Sequence, residues 1–136
     1  VTVLRDATMV RIHVPVASET LTAMLAGDGT AAERDPVLAA LLGVIRGQNP
    51  LGDFGLYSGV TEIAPGWEAF RSGPNAAPTL GAAGAASLSP TVILTTYAPC
   101  PPGDPALLAA IGQVMDVHPW EVPVVEVTPT QLAWRG

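Results

Sequence analysis

Lysine is absent from the 136 residues, and the six basic side chains are all arginines, at positions 5, 11, 34, 46, 71 and 135. Scattered in this way they make no patch able to displace counterions from a phosphate backbone, so nucleic acid is not an expected partner. Twelve acidic residues bring the net charge to -6, which also argues against docking on an anionic membrane surface. Cysteine occurs once, as Cys100, and histidine twice, as His13 and His118. An internal disulfide and a Cys/His cluster with zinc spacing are therefore both excluded, and a reducing compartment is the simpler expectation. Long apolar runs are missing too. Arg5, Asp6 and Arg11 interrupt the first apolar stretch, and no window approaches the roughly 18 to 20 apolar residues that span a bilayer. The expectation is a soluble, cytoplasmic protein, and the lack of lysine fits a high-GC bacterial genome. Charged residues make up 13% against 49% hydrophobic, so a disordered acidic tail is excluded and material for a core is ample. The length suits one domain over residues 1–136.

Residues 9–14 alternate, with Val10, Ile12 and Val14 on one face and Met9, Arg11 and His13 on the other, which predicts a first strand ended by Pro15. Ser18 then stands as an N-cap before Leu21, Met24 and Leu25, spaced as one helical stripe that Gly27 and Gly29 stop. Asp35 as N-cap and Pro36 at the first helical position introduce a second helical pattern in Val37, Leu38, Leu41, Leu42 and Ile45. Short strands are predicted at 54–63 and 67–71, and 75–87 reads either as a flexible linker or as a packed glycine loop. The β-branched run 91–97 is the clearest strand. Asp104 and Pro105 open a last helix carrying Leu107, Leu108, Ile111, Val114 and Met115, which ends near His118 because Pro119 follows. Residues 122–127 alternate as a final strand, broken by Pro129.

This order predicts an α+β, ferredoxin-like βαββαβ sandwich with both main helices on one face of an antiparallel sheet and a helical insertion near 30–47. With few charges to solvate the other sheet face, self-association into a homo-oligomer is expected.

The most distinctive string is His118, Pro119, Trp120, Glu121, Val122 and Pro123, where the last helix hands over to the last strand. The pattern His-Pro-aromatic-Glu-x-Pro resembles the C-terminal signature shared by the CutA divalent-cation-tolerance proteins and the PII-like domain of the NIF3 family. Phe70, Arg71, Asn75, Pro78, Gly81 and Gly84 are similar to the Phe-Arg-Pro, Gly-x-Asn-Pro and Gly-x-x-Gly text of the NIF3-type domain, although two residues here separate Asn75 from Pro78. Gly52, Asp53 and Phe54 resemble the Gly-Asn-Tyr that leads into its second strand. The resemblance runs over residues 9–128 and leaves 29–47 as an insertion. It implies a stand-alone PII/CutA-like domain and, from the CutA side, a trimer or another small symmetric oligomer. The dinuclear metal site of NIF3 proteins belongs to a separate domain whose ligands have no counterpart here, so its hydrolase activity is not carried over.

The residues of the corner string support two readings. Pro119 and Pro123 fix backbone angles, Trp120 offers apolar surface and Glu121 can accept hydrogen bonds from turn amides, all without a ligand. Alternatively His118 and Glu121 hold a divalent metal or share a proton, and such a metal would need His13, Asp116 or a neighbouring subunit to complete its shell. His13 lies on the polar side of the first strand, where a partly buried or interface histidine is commoner than a catalyst. Cys100, among Pro99, Pro101 and Pro102, sits in a loop where access is expected, yet has no local base or cation to activate it. Tyr57, Trp67 and Phe70 read as core or interface packing, or as the lining of a small-molecule pocket. Gly81 to Gly84 lacks the Lys-Ser/Thr of a phosphate loop.

Taken together, the chain reads as a non-catalytic, oligomeric binding or regulatory module without a cofactor. Its candidate binding residues are His118, Trp120, Glu121, His13, Arg71 and Asn75. Two alternatives remain at this point: a CutA-like divalent-metal-binding protein using His118 and Glu121, and a small enzyme with an inter-subunit site built from His118, Glu121, His13 and Arg71.

Overall fold

The computed structural model describes residues 1–78 and 80–136. Four strands and four helices follow in the order β1 (Thr2–Pro15), α1 (Ser18–Leu25), α2 (Ala31–Arg34), α3 (Pro36–Ile45), β2 (Thr61–Arg71), β3 (Ala86–Ala98), α4 (Pro105–Val117) and β4 (Val125–Arg135). They form one sheet of order β2-β3-β1-β4 in which every neighbour is antiparallel. This is the α+β, ferredoxin-like arrangement that the sequence predicts, with α2 and α3 filling the inserted segment. No helix among the described residues is long and apolar enough to cross a membrane.

Alternation decides which sheet face is buried. Val10, Ile12 and Val14 of β1 face Val92 and Leu94 of β3, and all five are fully buried against Leu38, Leu41, Leu42 and Ile45 of α3 and Leu107 and Val114 of α4. Burying one such side chain contributes about 1.5 to 3 kcal/mol. Met9, Arg11 and His13 take the other face, as their register predicts. In α4, Leu108 and Met115 stay exposed, so the buried stripe is narrower than the apolar pattern suggested.

Asp35 does more than cap α3. One carboxylate oxygen accepts from the Val37 and Leu38 amides at 3.1 Å, while the other accepts from the Ala17 amide at 2.9 Å and the Thr20 hydroxyl at 2.8 Å. Burial pushes its pKa up, but these four donors overcome that and leave it below the ordinary carboxylate value. Ser18 is not the N-cap of α1: it is the first helical residue, Ala17 holds the cap position without a side-chain bond, and Asp35 supplies the anion across the turn. Asp104 caps α4 by accepting from Ala106 and Leu107, with Pro105 following, as predicted.

The strands depart from expectation at their ends. Residues 54–60 are loop, and one strand, β2, runs through Pro65 where two short ones were expected. Residues 122–124 are not strand, and Pro129 does not break β4, which continues opposite β1 to Arg135. Both prolines lie on edge strands, where a missing N–H need leave no ladder bond unmade. The 75–87 segment forms turns before β3 begins at Ala86, and position 79 of that reading lies outside the described residues.

The helices do not cover the whole sheet. Trp67 and Ile63 of β2 and Leu88 of β3 point to the same side as the core, yet Trp67 is 57% and Leu88 60% exposed. The paired ends of β2 and β3 therefore overhang the helical layer as a ribbon with a bare apolar side.

Candidate functional site

Pro119 forces His118 out of helical geometry, to φ -74 and ψ 131, and this aims its ring back at β1. Its Nε2 lies 2.6 Å from the His13 carbonyl oxygen, and its Nδ1 lies 3.2 Å from the Trp120 amide nitrogen. The Trp120 N–H can only donate, so Nδ1 carries no proton and Nε2–H donates to His13. Burial then pushes the His118 pKa below its ordinary value, against smaller upward effects from the His13 carbonyl and the Glu68 carboxylate. The result is a neutral ring with both nitrogens engaged, and the indole of Trp120 packs on it with centroids 5.1 Å apart.

His13 presents its side chain on the open sheet face, where Nδ1 lies 3.2 Å from Oε2 of Glu68 on β2. That pair bridges across β3, and both members are about three-quarters withdrawn from solvent. Glu121 turns the other way. Its Oε1 accepts from the Ala77 amide at 2.6 Å and so pins the segment after β2 to the corner before β4. Between these parts lies a cleft of about 300 Å³, lined by Glu68, Phe70, Arg71 and Pro78 on one side and Trp120 and Glu121 on the other. Arg71 and Asn75 are exposed, and Asn75 is not among the lining residues.

Of the six candidate residues, the fold thus brings Arg71, Trp120 and Glu121 to one cleft, sets His118 directly behind Trp120, and places His13 at the next step inward. Among the described residues no three His, Cys, Asp or Glu side chains converge as a metal-binding group. Cys100 is half-buried against the core and less accessible than its loop position suggested, and burial raises its thiol pKa with help from Asp104. Tyr57, Trp67 and Phe70 do not pack together: Phe70 lines the cleft, Trp67 lies on the bare side of the overhang, and Tyr57 stands 73% exposed at the opposite end of the molecule.

That opposite end holds a second, larger cleft, of about 760 Å³, which sequence reasoning missed. It lies between residues 53–57 and the ends of β1 and β4, with Phe54 and Trp134 in contact. Leu132 and Trp134 were the available signal, since they alternate with Gln131, Ala133 and Arg135 beyond Pro129, on the strand face opposite to Val125 and Val127.

The fold is similar to that of a solved structure, that of a Bacillus cereus protein related to NIF3, with a TM-score of 0.54 and 20% identity over 98% of this chain. This chain spans 27% of the length of that protein. The likeness is one of fold. No protein-family model and no curated protein matches the chain.

Proposed function

We propose that the chain is a non-catalytic binding module, similar to the PII-like domain of NIF3 proteins, that self-associates and takes a small ligand at the His118 corner, with Arg71 as the one cation of a lining that also holds Glu68 and Glu121. The observation that carries this reading is the cleft held together by the Glu121–Ala77 hydrogen bond, with Arg71 and Trp120 on its walls. Arg71 has no carboxylate within 4.0 Å among the described residues, which leaves its guanidinium available to a carboxylate or phosphate. The bare ribbon around Trp67 and Leu88 supports self-association, because an apolar surface of this kind is stabilised when a second copy covers it. A divalent metal at the corner has less support: His118 uses both ring nitrogens internally, and Glu121 uses one oxygen on Ala77.

Two measurements test the proposal. Light scattering should give two or three times the 13.9 kDa chain mass. Titration with inorganic phosphate and with succinate should move the Trp120 indole N–H resonance, and Arg71→Gln should weaken that binding by about tenfold. A monomer would overturn the oligomeric half of the proposal. An unmoved Trp120 resonance with both probes would overturn the ligand half.

A further inference from the structure

We infer that the free half of β1, which forms one lip of the larger cleft, takes an extended peptide of a partner protein as an added strand. β1 pairs with β4 from Thr2 to Ile12, but with β3 only from Thr8 onward, opposite Ala98. Its hydrogen bonds alternate between these neighbours. The His13 amide donates to the Val124 carbonyl and the Val1 carbonyl accepts from the Gly136 amide, both toward β4, whereas the Val16 amide donates to the Pro90 carbonyl on the β3 side. Odd-numbered residues of β1 therefore direct their backbone groups to β4, and even-numbered residues direct theirs to β3. Beside Thr2, Leu4 and Asp6 there is no β3, and among the described residues no backbone group hydrogen-bonds to their N–H or C=O. The chain after Ala98 leaves the line of β3: Pro99 follows, and the Cys100 carbonyl lies 2.7 Å from the Thr8 hydroxyl, on the helix side of the sheet.

An unpaired strand edge beside a cleft suits the addition of an extended segment, in which backbone bonds give affinity and alternate side chains give specificity. Arg5, Asp6 and Ala7 line the cleft. Alternation turns Arg5, Leu132 and Trp134 to the open sheet face and Asp6 to the helix side, where its Oδ1 accepts from the Gln131 side-chain amide at 3.1 Å. What Asp6 offers the cleft is thus its backbone edge. A peptide antiparallel to β1, continuing the line of β3, meets Asp6, Arg5, Leu4, Val3 and Thr2 in turn. Its residues opposite Arg5 and Val3 lie on the open face, toward the rings of Phe54 and Trp134, whose centroids are 5.5 Å apart, so aromatic or apolar side chains fit there. Its residues opposite Asp6 and Leu4 lie on the helix side. The Asp6 carboxylate has no cationic group within 4.0 Å among the described residues and suits a basic partner, while Leu4, 62% exposed, suits an apolar one. The partner segment is an alternating strand sequence with Lys or Arg at its N-terminal end.

The test is hydrogen exchange at the Leu4 and Asp6 amides of the whole chain, with and without the acetylated, amidated peptide Lys-Tyr-Val-Tyr-Thr. Both amides should exchange freely alone and become protected on saturation. Methylating the peptide's valine nitrogen, which faces Leu4, should weaken binding at least about tenfold, whereas methylating its second tyrosine nitrogen, which faces away, should change it less than about threefold. Asp6→Asn should weaken binding of this peptide about threefold and leave a norleucine analogue of the lysine unaffected. The methylation pair is measured on the unaltered protein, so the test stands even if the variant fails to fold. Unprotected Leu4 and Asp6 amides, or equal weakening by the two methylations, would overturn the inference. Protection that rises with protein concentration in the absence of peptide would overturn it too, by giving the edge to a second copy. Indifference to Asp6→Asn would overturn the basic residue assigned opposite Asp6. The Trp120 response to phosphate and succinate is read from a different resonance, so neither outcome depends on the other.

Discussion

His118 shows how a residue with the look of a ligand can serve as a structural pivot. Its type and its place before Pro119 were legible in the sequence, and so was its nearness to Trp120 and Glu121. Its partner was not, because the His13 carbonyl is 105 positions away and is presented by the backbone of a strand, not by a side chain that a motif could display. The buried neutral ring makes a pH prediction. Its folded pKa lies below the unfolded value of about 6.5, so the folded state binds fewer protons between those two values. The stability it contributes is fully present above pH 6.5 and is lost as pH falls toward the folded pKa. Denaturant unfolding across that window should show the decline, and His118→Ala should flatten it. At pH 8 the same substitution should cost about 1 to 3 kcal/mol, because it leaves the His13 carbonyl and the Trp120 amide without partners.

At the scale of elements, strand centres and the starts of α3 and α4 were readable, while the start of α1 and the strand ends were not. Asp35-Pro36 and Asp104-Pro105 open helices in the structure as their chemistry requires. Pro129 misled because a rule for central strands was applied to an edge strand, and with it went the Leu132 and Trp134 side of the second cleft. The loop before β2 was misread for a related reason: its apolar residues 54, 56 and 57 look like strand, while Gly52, Gly55 and Gly59 take positive φ and turn the chain three times within eight residues. Gly52 (φ +69) donates to the Tyr97 carbonyl, and its own carbonyl accepts from Val60. A Cβ there would lie 2.5 Å from the Val60 nitrogen, whereas one at Gly55 would meet nothing within 4 Å. Gly52→Ala should therefore lower stability by about 2 to 3 kcal/mol in urea unfolding, and Gly55→Ala by about 1 kcal/mol. Equal losses would show that φ strain alone, and not contact with Val60, makes glycine necessary.

For the whole molecule, composition pointed to an apolar sheet face opposite the helices in search of cover, whereas the structure leaves Trp67 and Leu88 bare on the helix side, at the β2–β3 overhang. Replacing Trp67 and Leu88 together with serine should yield a monomer by light scattering and change the stability of the isolated fold by no more than about 0.5 kcal/mol, since both side chains are already mostly in water. An unchanged oligomer would move the interface elsewhere. The two clefts sit at opposite ends of one sheet, and they differ in how they are tied to it. The His118 corner is braced by bonds that reach into β1 and across to the segment after β2, so its shape is set by the strands themselves. Residues 53–59 hang from a neck that closes on itself at Gly52 and Val60, with strand pairing resumed immediately afterwards at Thr61 opposite Thr96. Chain can be added, removed or exchanged between those two neck residues without shifting the register of a single strand, because lengthening a closed loop costs little entropy. That makes this end of the molecule the one where descendants of the same fold can diverge in what they hold while the sheet beneath stays the same.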